Sequence, residues 1–194
     1  MAVSSSSTRR PASPNDTALV VVGSHVGLTS RQVAKAQERG GLIEAELDVP
    51  TLIDPERRDA HVADIARRVV EDCATSDVLL FTSRTLLRGG DADDSLAISR
   101  NVSTAVIEVV QAALSAHQSW VVAKGGITSH DVAGPRARHP PGRGRGSVAA
   151  GHGVGVPTHP GDRGSGWHAY VAFAGNVGND DTLADSHRPV RRRR

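Results

Sequence analysis

The sequence predicts an α/β protein with a mainly parallel sheet and helices on both faces of that sheet. Short valine- and leucine-rich segments alternate with longer segments that carry apolar residues at helical spacing. Aromatic residues make up only 3% of the chain, a composition typical of aliphatic strands covered by alanine-rich helices. With 194 residues, of which 38% are hydrophobic, the chain is long enough for one domain with tails.

The two ends of the chain differ in composition from the middle. Residues 1–17 are rich in Ser, Arg and Pro, residues 186–194 are basic, and neither segment shows apolar periodicity. Because such segments have no apolar face to bury, we expect them to be disordered tails. The single domain is therefore predicted over residues 18–185.

The first predicted strand covers residues 18–22, a run of apolar residues. A loop of small residues that contains Ser24 follows, and residues 30–39 then form a helical stretch that two glycines end. A strand, a small-residue loop and a helix start are the layout of an anion-binding turn. The loop has neither the Walker A spacing nor the Gly-x-Gly-x-x-Gly motif, so Ser24 is either a phosphate contact or a helix cap.

The next elements continue the alternation. Residues 42–49 alternate apolar with acidic residues, which predicts a strand with one wet face near the edge of the sheet. Asp54 and Pro55 are predicted to open a helix that extends to about residue 74, because Pro favours a first helical turn. Residues 77–81 are the next buried strand.

A second helix and strand lead to the most informative segment of the chain. Residues 94–117 are helical in pattern, with residues 99–101 as a candidate break, and residues 120–123 form a strand. The residues that follow this strand are Lys124, Gly125, Gly126, Ile127 and Thr128. The glycines allow backbone N–H groups to approach an anion, and the lysine either adds a positive charge there or extends into solvent from the strand end.

Three strand ends thus carry polar or glycine-rich loops. The carboxyl ends of parallel strands meet at one edge of a sheet, where α/β proteins bind ligands. We therefore expect Ser24, residues 82–84 and residues 124–128 to converge there. Arg84 is either an anion contact or part of a packed turn.

Residues 134–168 break the pattern. They are crowded with Gly, Pro, Arg and His and lack apolar periodicity. A strand is predicted again over residues 169–173, followed by another glycine loop in which acidic residues precede a helix start.

Charge and composition limit the partners that we expect. The net charge is +2, with a basic excess in residues 136–145 and 191–194, but no aromatic residues interleave there, so solvated tails are favoured over a nucleic-acid surface. A lone cysteine, Cys73, excludes an internal disulfide, and the histidines lack ligand spacing, so we predict no metal site built by the chain. Without a membrane-length apolar run or a signal peptide, we expect a cytoplasmic protein.

Five segments together resemble the C-terminal nucleotide-binding domain of the four-carbon acid sugar kinases. The segments are residues 20–26, 82–84, 95–98 with 102–103, 122–133, and 173–178 with 180–183. The Lys-Gly-Gly-Ile-Thr-Ser sequence and the Gly-Asn-Val-Gly sequence are the most specific of these matches. The similarity covers about residues 18–133 and 170–184.

This resemblance implies ATP-dependent phosphorylation of a four-carbon acid sugar such as threonate, erythronate or a 3-oxo-tetronate. ATP is expected with Mg²⁺, and the residues expected to contact it are Ser24, Lys124, Gly125, Gly126, Ile127, Thr128, Gly175, Asn176 and Gly178. Asp180 and Asp181 either help to hold Mg²⁺ or cap a helix. No residue is identified as the catalytic base.

The sequence departs from the family in two places. Family members carry an N-terminal sugar-acid domain, for which residues 1–17 are no substitute, so we expect the sugar acid to bind a missing domain or a separate subunit. Residues 134–168 do not match the family, and a compensated reading-frame shift would produce such a segment. Translating the DNA of that interval in its other frames tests this idea.

The alternative functions are a non-catalytic or regulatory nucleotide-binding module from a truncated gene and, on the Arg-rich ends, a nucleic-acid-binding protein.

Overall fold

Apolar segments of the chain form the centre of a single sheet. The computed structural model describes residues 17–23, 26–84, 87, 89–116, 120–125, 147–148, 151–157, 167–173 and 176–186. The strands in this part of the chain are β1 (Ala18–Val22), β2 (Ile43–Leu47), β3 (Val78–Thr82), β4 (Trp120–Lys124), β5 (Ser147–Val148), β6 (Gly151–Pro157) and β7 (Trp167–Phe173). The helices are α1 (Gly27–Arg39), α2 (Val49–Leu52), α3 (Arg58–Cys73), α4 (Ala92–Ala116) and α5 (Thr182–Ser186).

The seven strands lie in the order β2-β3-β1-β4-β7-β6-β5. The first five strands in this order pair in parallel. Strand β6 is antiparallel to β7, and β5 is antiparallel to β6. The predicted mainly parallel sheet is confirmed, and β2, with its exposed Glu44 and Glu46, lies at an edge as its alternating pattern indicates.

Helices cover both faces of the sheet. Leu19 and Val21 of β1 face one side, where they pack with buried residues of α2, α3 and α4. Val20 and Val22 face the other side, where they pack with residues of α1 and α5. Every residue of β1, β3 and β4 is buried, and each fully buried Val or Leu side chain contributes about 1.5–3 kcal/mol to folding. These three strands therefore form the rigid base of the domain.

The start of the first long helix differs from the sequence prediction. Asp54 does not open the long helix; its side chain and carbonyl close a turn by accepting from the N–H groups of Glu56 and Arg58, and α3 begins at Arg58. The short helix α2 precedes that turn. Its cap, Asp48, accepts from the N–H of Thr51 at 3.0 Å.

The candidate break in the second long helix is wrong, because α4 runs without interruption from Ala92 to Ala116. The hydroxyl of Ser99 donates to the carbonyl of Ser95 at 3.0 Å. A serine in a helix interior is satisfied by such a bond to the preceding turn. The polar residues at 99–101 therefore lie within the helix.

Strands β5 and β6 lie within residues 134–168, where no strand was predicted. Strand β7 begins at Trp167, two residues before the predicted strand. The reading-frame hypothesis and the domain boundaries are not tested by the structure and stay predictions. The two predicted tails, residues 1–17 and 186–194, lie outside the described residues except for Thr17 and Ser186.

The amino edge of the sheet, where the parallel strands begin, is closed by structural contacts. The N–H of Ala18 donates to Asp77 Oδ1 at 2.9 Å, and the hydroxyl of Thr17 donates to the carbonyl of Cys73 at 2.6 Å. Burial raises the pKa of the Cys73 thiol to about 12, which suits the predicted role as a helix-face filler. Within the described part of the chain, no helix has the length and apolarity needed to cross a membrane.

Candidate nucleotide site at the carboxyl edge of the sheet

The carboxyl edge, where the parallel strands end, brings together the segments that follow β1, β4 and β7. Val22, the last residue of β1, is in register with Lys124, the last residue of β4. Lys124 is in register with Phe173, the last residue of β7. Because paired strands lie about 4.8 Å apart, the chain leaves the sheet at three adjacent points on the same edge.

The structure describes four of the nine predicted contact residues. They are Lys124, Gly125, Asn176 and Gly178. The other five, Ser24, Gly126, Ile127, Thr128 and Gly175, lie outside the described residues. The register brings the ends of β1, β4 and β7 to one edge, and a contact with a ligand remains a prediction for each of the nine residues.

Helix α1 starts at this edge without a side-chain cap. Its N-cap residue is Val26, whose side chain makes no capping hydrogen bond, and its first turn has no acidic residue. By contrast, α4 begins with Asp93 and Asp94, and Asp91 caps it by accepting from the N–H of Asp94 at 2.8 Å. Since a helix N-terminus attracts anions and nearby carboxylates repel them, α1 is better suited than α4 to bind a phosphate.

Gly125 follows β4 with a φ of 110°. Residues with a side chain rarely adopt this conformation, so the glycine allows the chain to turn directly after the buried strand. The turn starts next to the residue that follows β1, because Val22 and Lys124 are paired. The Gly125 turn therefore lies beside the end of β1, the strand that precedes α1 in the sequence.

Lys124 is buried rather than extended into solvent. Its side chain is 1% exposed, and Nζ donates to the carbonyl of Val177 at 2.9 Å. Burial lowers the pKa of this ammonium group. The interpretation in which Lys124 extends into solvent is wrong, while a contact with phosphate stays a prediction.

Residues 176–181, which we name the Gly178 loop, connect β7 to α5. Gly178 has a φ of 91°, and a Cβ atom there would lie 2.7 Å from Thr182 Cβ. Asn179 Oδ1 accepts from the N–H of Asp181 at 3.2 Å and from the Thr182 hydroxyl at 2.9 Å. The loop is thus a tight cap of α5 that leaves Asn176 and Gly178 exposed at the carboxyl edge.

Sequence analysis did not single out Gln32, which holds this loop from α1. Its Nε2 donates to the carbonyls of Val177 and Asn179 at 3.3 and 2.7 Å. The one signal in the sequence is its position: Gln32 precedes Val33 and lies four residues before Ala36, on the buried face of the helix. A polar residue at such a position needs a partner, but the pattern does not name that partner.

The acidic residues of the Gly178 loop pair with arginines of α1. Asp180 lies 3.1 Å from Arg31, and Asp181 lies 2.8 Å from Arg39. Within the described residues, no group of three or more His, Cys, Asp and Glu side chains could hold a metal ion. Besides Mg²⁺ binding and helix capping, the two predicted roles, Asp180 and Asp181 thus form ion pairs that link the loop to α1.

The segment after β3 packs as a turn. Ser83 Oγ accepts from the N–H of Val49 at 3.0 Å. The guanidinium of Arg84 donates to the carbonyl of Thr82 at 2.7 and 3.0 Å, and burial lowers the pKa of this group. These contacts fit the packed-turn interpretation, and an anion contact of Arg84 stays a prediction.

The chain matches a family model and is similar in fold to several solved structures. A family model described as a nucleotide-binding C-terminal domain matches residues 19–183. No protein in the curated set matches the sequence. The solved structures that it resembles are longer chains of low sequence identity.

Three of these structures share the fold. A Bordetella bronchiseptica protein of unknown function (DUF1537), crystallised with bound citrate as a domain-swapped dimer, has a TM-score of 0.68 at 18% identity, over 88% of this chain and 40% of that chain. A Salmonella typhimurium protein provisionally named a tRNA synthase has a TM-score of 0.61 at 16% identity, over 92% and 41%. A DUF1537 protein of Haemophilus influenzae has a TM-score of 0.53 at 16% identity, over 92% and 42%. The chain thus spans about two fifths of the structures that it matches.

Proposed function

Because the chain belongs to the family of nucleotide-binding C-terminal domains, we propose that it binds ATP at the carboxyl edge of its parallel sheet. The observation that carries this proposal is the start of α1, where the N-cap residue Val26 has no capping side chain and the first turn has no acidic residue. The turn at Gly125 begins on the neighbouring strand. Together they offer backbone N–H groups and a helix dipole to a triphosphate.

Each predicted contact residue has a role in this proposal. Ser24 and residues 125–128 approach the phosphates through hydroxyl and backbone N–H groups, as glycine-rich loops do. Asn176 and Gly178 approach from the Gly178 loop, with Gly175 before them. Lys124 would add positive charge at the end of β4, where its Nζ donates to the carbonyl of Val177.

Mg²⁺ would be held mainly by the triphosphate and water. The described residues provide no cluster of acidic ligands, and Asp180 and Asp181 are paired with arginines. Mg²⁺ in nucleotide sites commonly keeps several waters and uses one or two carboxylates, so this donor set fits an ion that arrives with ATP. When bound, the ion would neutralise charge on the phosphate oxygens.

We further propose that this chain is the nucleotide half of a kinase for a four-carbon acid sugar such as threonate, erythronate or a 3-oxo-tetronate. The chain spans about two fifths of the solved structures that it matches, so the acceptor and the catalytic base would come from another domain or subunit. The Bordetella protein was crystallised with citrate, a small hydroxy acid, which supports an acid of this class as co-substrate. Phosphoryl transfer depends mainly on positioning and charge stabilisation, which two rigid halves can share.

Calorimetric titration with ATP tests the proposal. Wild-type protein should bind ATP and not adenosine, and Gly125→Ala should weaken ATP binding about tenfold or more, because the turn must distort. Gly41→Ala is the matched control: Gly41 also has a positive φ, 89°, but has no atoms within 4 Å of the added Cβ and lies away from the carboxyl edge. Absence of ATP binding by the wild type would refute the proposal.

Turnover separates the kinase from a non-catalytic or regulatory module. Phosphorylation of a four-carbon acid sugar only when a sugar-acid domain is supplied supports the kinase half. ATP binding without turnover under the same conditions supports the binding module. Salt-sensitive binding of DNA or RNA without affinity for ATP would instead support the nucleic-acid alternative.

A further inference from the structure

Gln32 lies where α1 meets the Gly178 loop. Its side chain is 0% exposed, and its Nε2 donates to the carbonyl of Val177 and to the carbonyl of Asn179. These two carbonyls flank Gly178 in the chain. One carboxamide therefore fixes the backbone on both sides of the loop's most constrained residue.

The Val177 carbonyl is held by two elements at once. Gln32 reaches it from α1, and Lys124 reaches it from the end of β4 at 2.9 Å. The start of α1 and the Gly125 turn after β4 are also described parts of the candidate site. The Gly178 loop is thus hydrogen-bonded to both elements, α1 and β4, next to which we propose that the phosphates bind.

Burial of the Gln32 side chain costs folding free energy, and this cost points to a role for the hydrogen bonds that it donates. Its Oε1 has no hydrogen-bond partner among the described residues, although the side chain is fully buried. A buried polar atom without a partner destabilises a protein, and an apolar side chain of the same length would avoid this loss. The two donated bonds offer a physical reason for a glutamine on the buried face of α1.

We propose that Gln32 is a positioning residue of the nucleotide site, which holds the Gly178 loop in the conformation that binds ATP. This inference rests on the proposed function, because the loop's role in ATP binding is part of it. Gln32 itself does not contact the nucleotide. It acts through the carbonyls of Val177 and Asn179, which fix the course of the backbone around Gly178.

The test compares Gln32→Met with Gln37→Met. Methionine has nearly the shape of glutamine but donates no hydrogen bond. Gln37 lies on the same helix, is exposed, and donates to Glu44 Oε2 at 2.7 Å, so its replacement serves as the matched control. Hydrogen exchange of the amides of residues 177–181, measured without nucleotide, and ATP affinity by calorimetry are the two readouts.

Gln32→Met should speed exchange in the Gly178 loop by about tenfold or more and weaken ATP binding to a similar degree, whereas Gln37→Met should do neither. Exchange in β1 and β3 should remain slow in both variants, which shows that the fold is intact. Equal ATP affinity in Gln32→Met and the wild type would overturn the inference. If the wild type does not bind ATP, the proposed function and this role of Gln32 both fail, whatever the rate of amide exchange in the loop.

Gln32→Glu provides a second test should Gln32→Met not fold. Burial raises the pKa of a carboxyl group, while the Lys124 ammonium, which donates to the same Val177 carbonyl, lowers it. A protonated carboxyl can donate one hydrogen bond to a carbonyl, and an ionised one cannot. Relative to the wild type at the same pH, the ATP affinity of Gln32→Glu should therefore fall as pH rises. An affinity ratio that does not change with pH would contradict the role of Gln32 as a donor.

Discussion

At the scale of the residue, the Gly178 loop shows how tightly the carboxyl edge is built. Gly178 has a φ of 91°, which residues with a side chain rarely adopt. A Cβ atom at this position would also overlap Thr182. Lys124 and Gln32 lie beneath it, and both are buried. A small change here should affect the loop before it affects the sheet.

Gly178→Ala should destabilise the protein by about 2 kcal/mol or more, because backbone strain and overlap with Thr182 act together. Urea unfolding measures this loss. Gly41→Ala should cost only about 1–2 kcal/mol, since Gly41 has a similar φ but open space around it. Equal costs for the two variants would show that the contact with Thr182 adds nothing.

At the scale of the element, α5 depends on α1 for its position. Leu183 and Ala184 pack on the same face of the sheet as Val33 and Ala36. Arg39, in the last turn of α1, lies 2.8 Å from Asp181 and 2.6 Å from Asp185. Arg39 therefore links the end of α1 to the residue before α5 and to a residue within α5.

Arg39→Gln should destabilise the protein by about 0.5–1 kcal/mol, less at high salt, because partly exposed ion pairs are screened. It should also speed amide exchange in α5 (Thr182–Ser186). Arg67→Gln is the control: Arg67 also pairs with two acids, Asp64 and Glu71, but all three belong to α3. If both variants leave the exchange of α5 unchanged, the ion pairs of Arg39 do not hold that helix.

The same scale shows what sequence could predict. β1, β3 and β4 agree with their predicted bounds to within one residue, because strands buried on both faces are continuous apolar runs. β5 was not predicted because it has only two residues, and β6 because its alternate residues are glycines, which are depleted in strands. Sequence also missed α2, whose start depends partly on Ser83, a residue from a distant segment.

The candidate site was predictable to the same degree. Strand ends and glycine loops locate the carboxyl edge, since parallel topology brings them together whatever lies between. The contacts of Gln32 were not predictable, because its partners Val177 and Asn179 lie 145 and 147 residues away in the sequence. Local patterns identify the type of site, and only the packed structure identifies the residues that hold it in place.

At the scale of the whole molecule, the amino and carboxyl edges of the sheet differ in the contacts that they make. Asp77, Thr17 and Cys73 close the amino edge with buried hydrogen bonds. The start of α1, the Gly125 turn and the Gly178 loop lie at the carboxyl edge. A ligand that binds the folded state alone should also stabilise the whole domain, by about 2.7 kcal/mol at a hundredfold excess over its dissociation constant.

Hydrogen exchange with and without ATP tests the central claim most directly. We expect ATP to slow exchange in the first turn of α1, at Gly125 and in residues 176–181, beyond any uniform stabilisation of the domain. Residues 73–78 at the amino edge should show only that uniform effect. Protection confined to the amino edge, or no protection anywhere, would contradict a nucleotide site at the carboxyl edge.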